Sequence, residues 1–340
     1  MSTTAPFTVT RSTPTSWAGT AGYLAVAVVL ALAPLLFGAN VIQQLTSFLI
    51  LVILAVMWNA LAGYGGLVSV GQQAYIGFGA YAVIFLTQHG VAPYLAVVFA
   101  ACAAGVLALV IAPLVLRLRG GQFSIGTWVI AEALALVVVL DTALGGGTGV
   151  SLRGLNVFDA DTRRAYTYWL TLAFVLLLLG AVALLLRRRT GAALQAIRDD
   201  EDAAASVGVR VRPLKLLLFV LAGFGCGAAG ALTLTNTLFI QPQSIFGVQY
   251  SAFMIFMVLV GGLGTFEGPI LGAVVYFLIQ YRFADLGAWY LIALGLIAVV
   301  FALVLPRGLW SLVADRMPGQ LLPVGYRLKT VMSHRPDPDE

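Results

Sequence analysis

The chain has 340 residues, 61% of them hydrophobic and only 10% charged, with a mean hydropathy of +0.98. Soluble domains carry roughly 25% charge, so a soluble enzyme and a nucleic-acid-binding domain are both excluded. The net charge of +5 is carried by Arg-rich loops between apolar runs, with no basic face elsewhere. Cys102 and Cys226 each sit inside an apolar run and read as small packing residues, not as a disulfide framework. His89 and His334 are isolated, so no metal site is expected. No GxxxxGK[ST] loop occurs. The chain is therefore expected to bind no cofactor, and any ATP would be used by another chain.

In chain order, Met1–Ser16 is polar and rich in Ser and Thr, with Arg11 as its only charge. No compact cleavable signal follows, so the first span is expected to stay as an anchor. Apolar runs of about 20 residues, the length that crosses a bilayer as helix, predict about ten membrane segments. They fall near 18–37, 43–62, 72–87, 93–116, 122–140, 166–186, 214–234, 248–264, 268–282 and 286–305. The fold class expected is an all-α integral membrane protein with a transmembrane region over 17–306 and polar tails at 1–16 and 307–340.

The helical pattern fails in two places. Gly63–Tyr81, GYGGLVSVGQQAYIGFGAY, is dense in glycine and carries Ser69, Gln72 and Gln73. Unwound backbone at membrane depth is tolerable only where protein buries it or where it lines a water-filled cavity, and Gly-interrupted segments mark transport pathways. On that reading Gly65, Gly66, Ser69, Gly71, Gln72, Gln73 and Tyr75 line a passage; on the other, the glycines merely let helices pack closely. The second break, Gly261–Tyr276, GGLGTFEGPILGAVVY, holds Thr265, Glu267 and Pro269 and is open to the same two readings. Asn59 reads as a helix-end polar group. Glu132 is the carboxylate well inside a span, where a charge costs on the order of 2–3.5 kcal/mol. It either lines or gates the passage, or ties two helices together by a hydrogen bond.

The connection 141–165 balances Asp141, Asp159 and Asp161 against Arg153, Arg163 and Arg164. The stretch 187–215 is the long charged interruption, with Arg187, Arg188, Arg189, Arg198, Arg210, Arg212 and Lys215 among its residues. The positive-inside rule keeps so basic a loop cytoplasmic. Counting outward, Arg117, Arg119, Arg307 and both termini are then cytoplasmic, and 141–165 lies outside. Ala192 to Ile197 forms a short helix with Leu194 and Ile197 on one face. The acidic run Asp199–Asp202 starts a second helix, which Gly208 ends. Such a pair either docks a soluble partner or simply bridges two spans.

These stretches together resemble a known family. GYGGLVSVGQQAYIGFGAY, LRLRGGQFSIGTWVIAEAL, GGGTGV at 145–150, GAALQAIRDDEDAAASVGV and VLVGGLGTFEGPILGA are similar, in consistent order over about residues 41–310, to the larger permease subunit of branched-chain amino-acid ABC importers. The resemblance implies an importer permease fold of the type II kind with broken or re-entrant Gly-rich segments. Its implied partners are a second permease subunit, two cytosolic ATPase subunits that use the ATP, a periplasmic amino-acid-binding protein and membrane lipid. It makes Gly191–Val209 the coupling helices that enter a groove on an ATPase, with Gly191, Leu194, Ile197, Arg198, Asp199, Glu201 and Gly208 as the residues concerned. Arg153, Arg163 and Arg164 are then expected to dock the binding protein. Two departures stand out: Gln122 replaces the usual aromatic before Phe123, and 145–149 reads GGGTG where GG-S/N-G is usual. Two substrate classes follow, an aliphatic amino acid or a urea-like short amide. An ion-coupled transporter would need an intramembrane coupling site, which Glu132 alone could supply. A membrane enzyme would need clustered His, Asp or Lys.

Overall fold

Long runs with few charges leave each backbone N–H and C=O no partner in lipid but its own helix. The computed structural model, which describes residues 7–10, 14–155, 159–314, 316 and 327–330, is accordingly helical. In order come α1 (Pro14–Leu36), α2 (Ala39–Asn59), α3 (Gln73–Gln88), α4 (Pro93–Val115), α5 (Gly121–Leu140) and α6 (Ala160–Arg187). The short α7 (Arg189–Asp199) and α8 (Glu201–Ser206) follow. Then come α9 (Val211–Thr237), α10 (Pro242–Ile245), α11 (Gln249–Gly261), α12 (Gly268–Phe283), α13 (Ala288–Val304) and α14 (Gly308–Ala314). Two strand pairs complete the described residues, both antiparallel: β1 (Phe7–Thr10) with β4 (Arg327–Thr330), and β2 (Val150–Ser151) with β3 (Phe239–Ile240). The first pair brings the two tails together; residues 1–6, 11–13, 317–326 and 331–340 of those tails lie outside the described residues.

Among the described residues, seven helical runs are long and apolar enough to cross a bilayer, and the bent pair Trp289–Val304 and Gly308–Ala314, 45° apart, makes up to eight. The sequence pattern predicted about ten. The shortfall has a local cause. Helices α3 and α12 have 16 residues each and reach about 24 Å at 1.5 Å per residue, short of the ~30 Å hydrocarbon core. Each is preceded by one of the two Gly-rich breaks.

Small residues set the core. Ala96, Ala100, Ala104, Ala108 and Ala112 recur every fourth residue on α4, and all five are fully buried. This stripe faces Gly223 and Gly227 of α9, where a Cβ would collide with Ala108 and Ala104. On its other side α9 meets α3: a Cβ at Gly230 would overlap the Ile76 carbonyl, and one at Gly79 the Gly227 carbonyl. Packing of this kind lets backbones approach where apolar attraction alone gives lipid and protein equal claim. The prediction that both cysteines are packing residues holds for Cys226, which is buried, but Cys102 is exposed on the outward side of α4.

The predicted loop 141–165 is shorter than expected, because Asp159 accepts from the Asp161 N–H and caps α6. Arg163 and Arg164 therefore stand in the first two turns of a helix.

Candidate functional site

Helix α2 does not stop at Asn59 but widens into a π-turn, Ala60–Tyr64, a feature frequent at functional sites. Regular helical bonding is lost from Gly66, at φ +66, until α3 begins at Gln73. Neighbouring helices satisfy the irregular carbonyls. Ser124 of α5 donates to the Val68 carbonyl (2.6 Å), Trp58 Nε1 of α2 to that of Ser69 (2.9 Å), and Ser251 of α11 to that of Val70 (3.1 Å). The first break is thus irregular backbone, as the composition predicted. Its polar side chains point otherwise than a simple lining would require. Ser69, Gln72 and Gln73 are fully buried, and Tyr75 is buried edge-on against Phe219. The Gln73 amide lies against the same Ser251 hydroxyl, and Gln72 donates to Ser69 Oγ (3.2 Å). One end of each amide is thus held in the protein, while Gln72 Oε1 and Gln73 Nε2 are buried without a hydrogen-bond partner. Gly71 is a packing glycine, since a Cβ there would enter the Thr127 carbonyl of α5, and a Cβ at Gly65 would press on Leu218. Only Gly66 and Val68 of this stretch are exposed.

The second break, 262–267, lies against the first. Asn59 Nδ2 donates to the Thr265 carbonyl (2.8 Å), and the Gly264 N–H donates to Asn59 Oδ1 (2.8 Å). A Cβ at Gly63 would meet the Gly264 backbone. Thr265 Oγ1 accepts from the Gly268 N–H (3.1 Å) and so starts α12. Phe266, inside the same turn, packs edge-on against Tyr23 of α1, with ring centroids 6.5 Å apart.

Helices α7 and α8 sit on this junction. The Gly66 Cβ position is 3.3 Å from the Arg198 Cα, and Arg198 Nη1 donates to the Gly63 carbonyl (3.2 Å). The apolar face of α7 is turned inward: Gly191, Leu194 and Ile197 are all buried, as is Ala204 of α8. The resemblance implies that Leu194 and Ile197 meet another protein; the structure instead spends them on seating the helix in its own bundle. Glu201 also faces the bundle, bonded to Lys215 of α9 (2.5 Å), while Asp202 pairs with Arg119 before α5 (3.3 Å). Asp200 caps α8 by accepting from the N–H groups of Asp202 and Ala203. Gly208, at φ +88, ends the excursion. Exposed on the outer side are Gln195, Asp199, Ala203 and Val207, the last 81% exposed.

Helix α5 buries Phe123, Thr127 and Ala131 and exposes Ile125, Trp128, Val129 and Leu136. Glu132 lies on this exposed side and accepts from Trp128 Nε1 (3.0 Å) on its own helix; its hydrogen bond does not tie two helices together. At the opposite end of the bundle Arg153 is exposed beside a crevice of about 620 Å³ shared with Thr87, Gln88, Thr142 and Ser151. Arg163 and Arg164 are half-buried there, Arg164 pairing with Asp161 (3.4 Å). The convergence of Asn59, Arg198 and the 262–267 turn is not legible in the sequence, where its one visible signal is an amide at the end of an otherwise apolar helix.

Residues 40–307, which hold both breaks, α5 and the α7–α8 pair, match the family described as branched-chain amino acid transport system, permease component. The chain belongs to that family. It is 28% identical over 315 residues to the high-affinity branched-chain amino acid transport system permease protein LivM of Escherichia coli K12, covering 84% of this chain and 74% of that one. The LivM permease of Salmonella typhimurium LT2 is 27% identical, over 81% and 71% of the two chains. A probable LivM permease of Methanocaldococcus jannaschii is 26% identical, over 48% of each. No solved structure matches the chain significantly. With its long apolar helices, this permease is a multi-pass protein of the bacterial inner membrane.

Proposed function

We propose that this permease forms part of the passage by which an ATP-driven importer takes up branched-chain amino acids. Its partners on this reading are a second permease subunit, two cytosolic ATPases and a periplasmic amino-acid-binding protein. The observation that carries the reading is the seat of α7 and α8. A helix pair anchored by Leu194, Ile197 and Ala204, touching the first break at Gly66 and offering an outer face to solvent, is built to turn a push from outside into movement of broken backbone. The positive-inside rule places that Arg-rich end in the cytoplasm, and α3 and α12 then complete their crossings through the two breaks. Solute passes along Gly66, Val68 and the exposed side of α5. A charged residue facing lipid at mid-span would cost about 2.5–3.5 kcal/mol, so the Glu132 side faces water in the passage or the second permease subunit. A zwitterion of zero net charge suits so sparsely charged a route. Arg153, Arg163 and Arg164 dock the binding protein at the far end.

The test is uptake by the complex purified through a tag on this chain and reconstituted with its binding protein. Leucine, isoleucine and valine are expected to enter only with ATP. Uptake of urea or short amides in their place would overturn the substrate class. Two substitutions separate the faces of the coupling pair. Val207→Asp is expected to leave the fold intact and reduce ATPase co-purification. Ile197→Asp should instead destabilise the permease itself by about 3 kcal/mol or more, the scale of an unpaired buried charge, visible as a lowered unfolding temperature.

A further inference from the structure

Asn59 belongs to neither the exposed route nor the outer face of the coupling pair, yet its environment is unusually specific. The residue is 2% exposed, and both ends of its amide are committed to one turn, Nδ2 to the Thr265 carbonyl and Oδ1 to the Gly264 N–H. Those opposite demands fix the amide's orientation, and neither Asp nor Leu can meet both. Beside it the two breaks touch backbone to backbone. Gly63 has no room for a Cβ against Gly264, and Gly264 itself sits at φ +74. Arg198 of α7 closes the group, bonding the Gly63 carbonyl and lying with Nη1 2.9 Å from the Gly264 Cβ position. Three segments that the chain sets far apart are thus joined at one point.

We propose that Asn59 is a positioning residue, a latch that makes the 63–72 and 262–267 breaks move as one unit with α7. This rests on the importer reading. A shift of α7 pulls the first break through Arg198 and the Gly63 carbonyl. Asn59 carries the shift on to the turn that starts α12, so that α2 and the α11–α12 pair are displaced together. Without the amide, α7 would still move the first break, and the second would lag.

The experiment uses the reconstituted complex and reads ATP hydrolysed per amino acid transported, with unfolding temperature and subunit composition as controls. Asn59→Leu, similar in size but without either hydrogen bond, is expected to assemble, keep its basal ATP hydrolysis and raise the ATP cost per solute ~10-fold, within the range of coupling between linked sites. Asn59→Asp keeps the acceptor for Gly264 and should fall between the two. Arg198→Ala should also uncouple, and Arg198→Lys, which retains a donor for the Gly63 carbonyl, should largely restore coupling. An unchanged ratio in Asn59→Leu with an intact complex overturns the latch. Should Asn59→Leu fail to assemble, Asn59→Asp decides: a raised ATP cost per solute in an intact complex supports the latch, and an unchanged ratio overturns it, as does unchanged coupling in Arg198→Ala. A wild-type complex without ATP-driven uptake overturns the importer reading and the latch together, whereas a coupled wild type with equally coupled variants overturns the latch alone.

Discussion

A single methyl group at position 230 is expected to destabilise this permease by about 3 kcal/mol, the upper end of the usual cost of overpacking. In Gly230→Ala the new Cβ would overlap the Ile76 carbonyl of α3, a backbone atom that cannot swing aside as a side chain can. Either α3 and α9 separate, or the added methyl forces α3 out of its own hydrogen bonding. Separation would also loosen the contacts of Gly223 and Gly227 with the alanine stripe of α4, so one clash spreads across three helices. The same substitution at Gly180 is the control. That glycine is exposed in the C-terminal half of α6, about two turns from its end, with nothing within 4 Å of its Cβ position, and Ala there should gain up to ~1 kcal/mol of helix propensity. Thermal unfolding in detergent, followed by labelling of the buried Cys226 thiol in a Cys102→Ser background, reads both. Equal unfolding temperatures for the two variants would show that α3 and α9 are not in backbone contact.

Gly66→Val is expected to lower uptake at least ~10-fold while the ATPases still co-purify, a loss on the scale of coupling between linked sites. Two costs coincide at this residue. Its φ of +66 is left-handed, a region that costs an L-residue roughly 1–2 kcal/mol and a β-branched one more. Its Cβ would stand 3.3 Å from the Arg198 Cα, so a branched side chain has to push α7 outward. Gly66→Ala bears the backbone cost with a smaller push and should retain more uptake. Gly121→Ala, in a crevice that Gly66 and Val68 also line and with nothing within 4 Å of its Cβ position, should transport as wild type does. Uptake at the wild-type rate by Gly66→Val would mean that the contact between the first break and α7 does not govern transport.

How far the sequence could be read depended on the range of each interaction. Helices of about 20 apolar residues follow from the needs of a backbone in lipid, a local requirement, and so their places were legible in chain order. Both breaks were legible too, because glycine clusters and amides weaken a helix wherever they occur. The alanine stripe of α4 was present in the sequence as a four-residue period, although its partner glycines were not identifiable.

What pairs with what was another matter. The Asn59 hydrogen bonds span 205 and 206 positions, and nothing in local composition records a contact at that distance. Leu194 and Ile197 illustrate the limit on a smaller scale. Two apolar residues on one face of a short helix say that the face is covered, but a partner protein and the chain's own bundle cover it equally well. Gln72 and Gln73 show the converse: polar side chains in an apolar span need partners, and whether Ser251 or a passing solute supplies one depends on how α11 packs. The sequence by itself determined that this is a helical, multi-pass membrane protein with two weak points and one basic excursion, because helix formation, membrane partition and charge placement act over a few residues. Only the tertiary structure decided that the weak points meet, that Asn59 and Arg198 join them, and that the apolar side of α7 faces inward, because those outcomes depend on hydrogen bonds and close backbone contacts between segments brought together by folding.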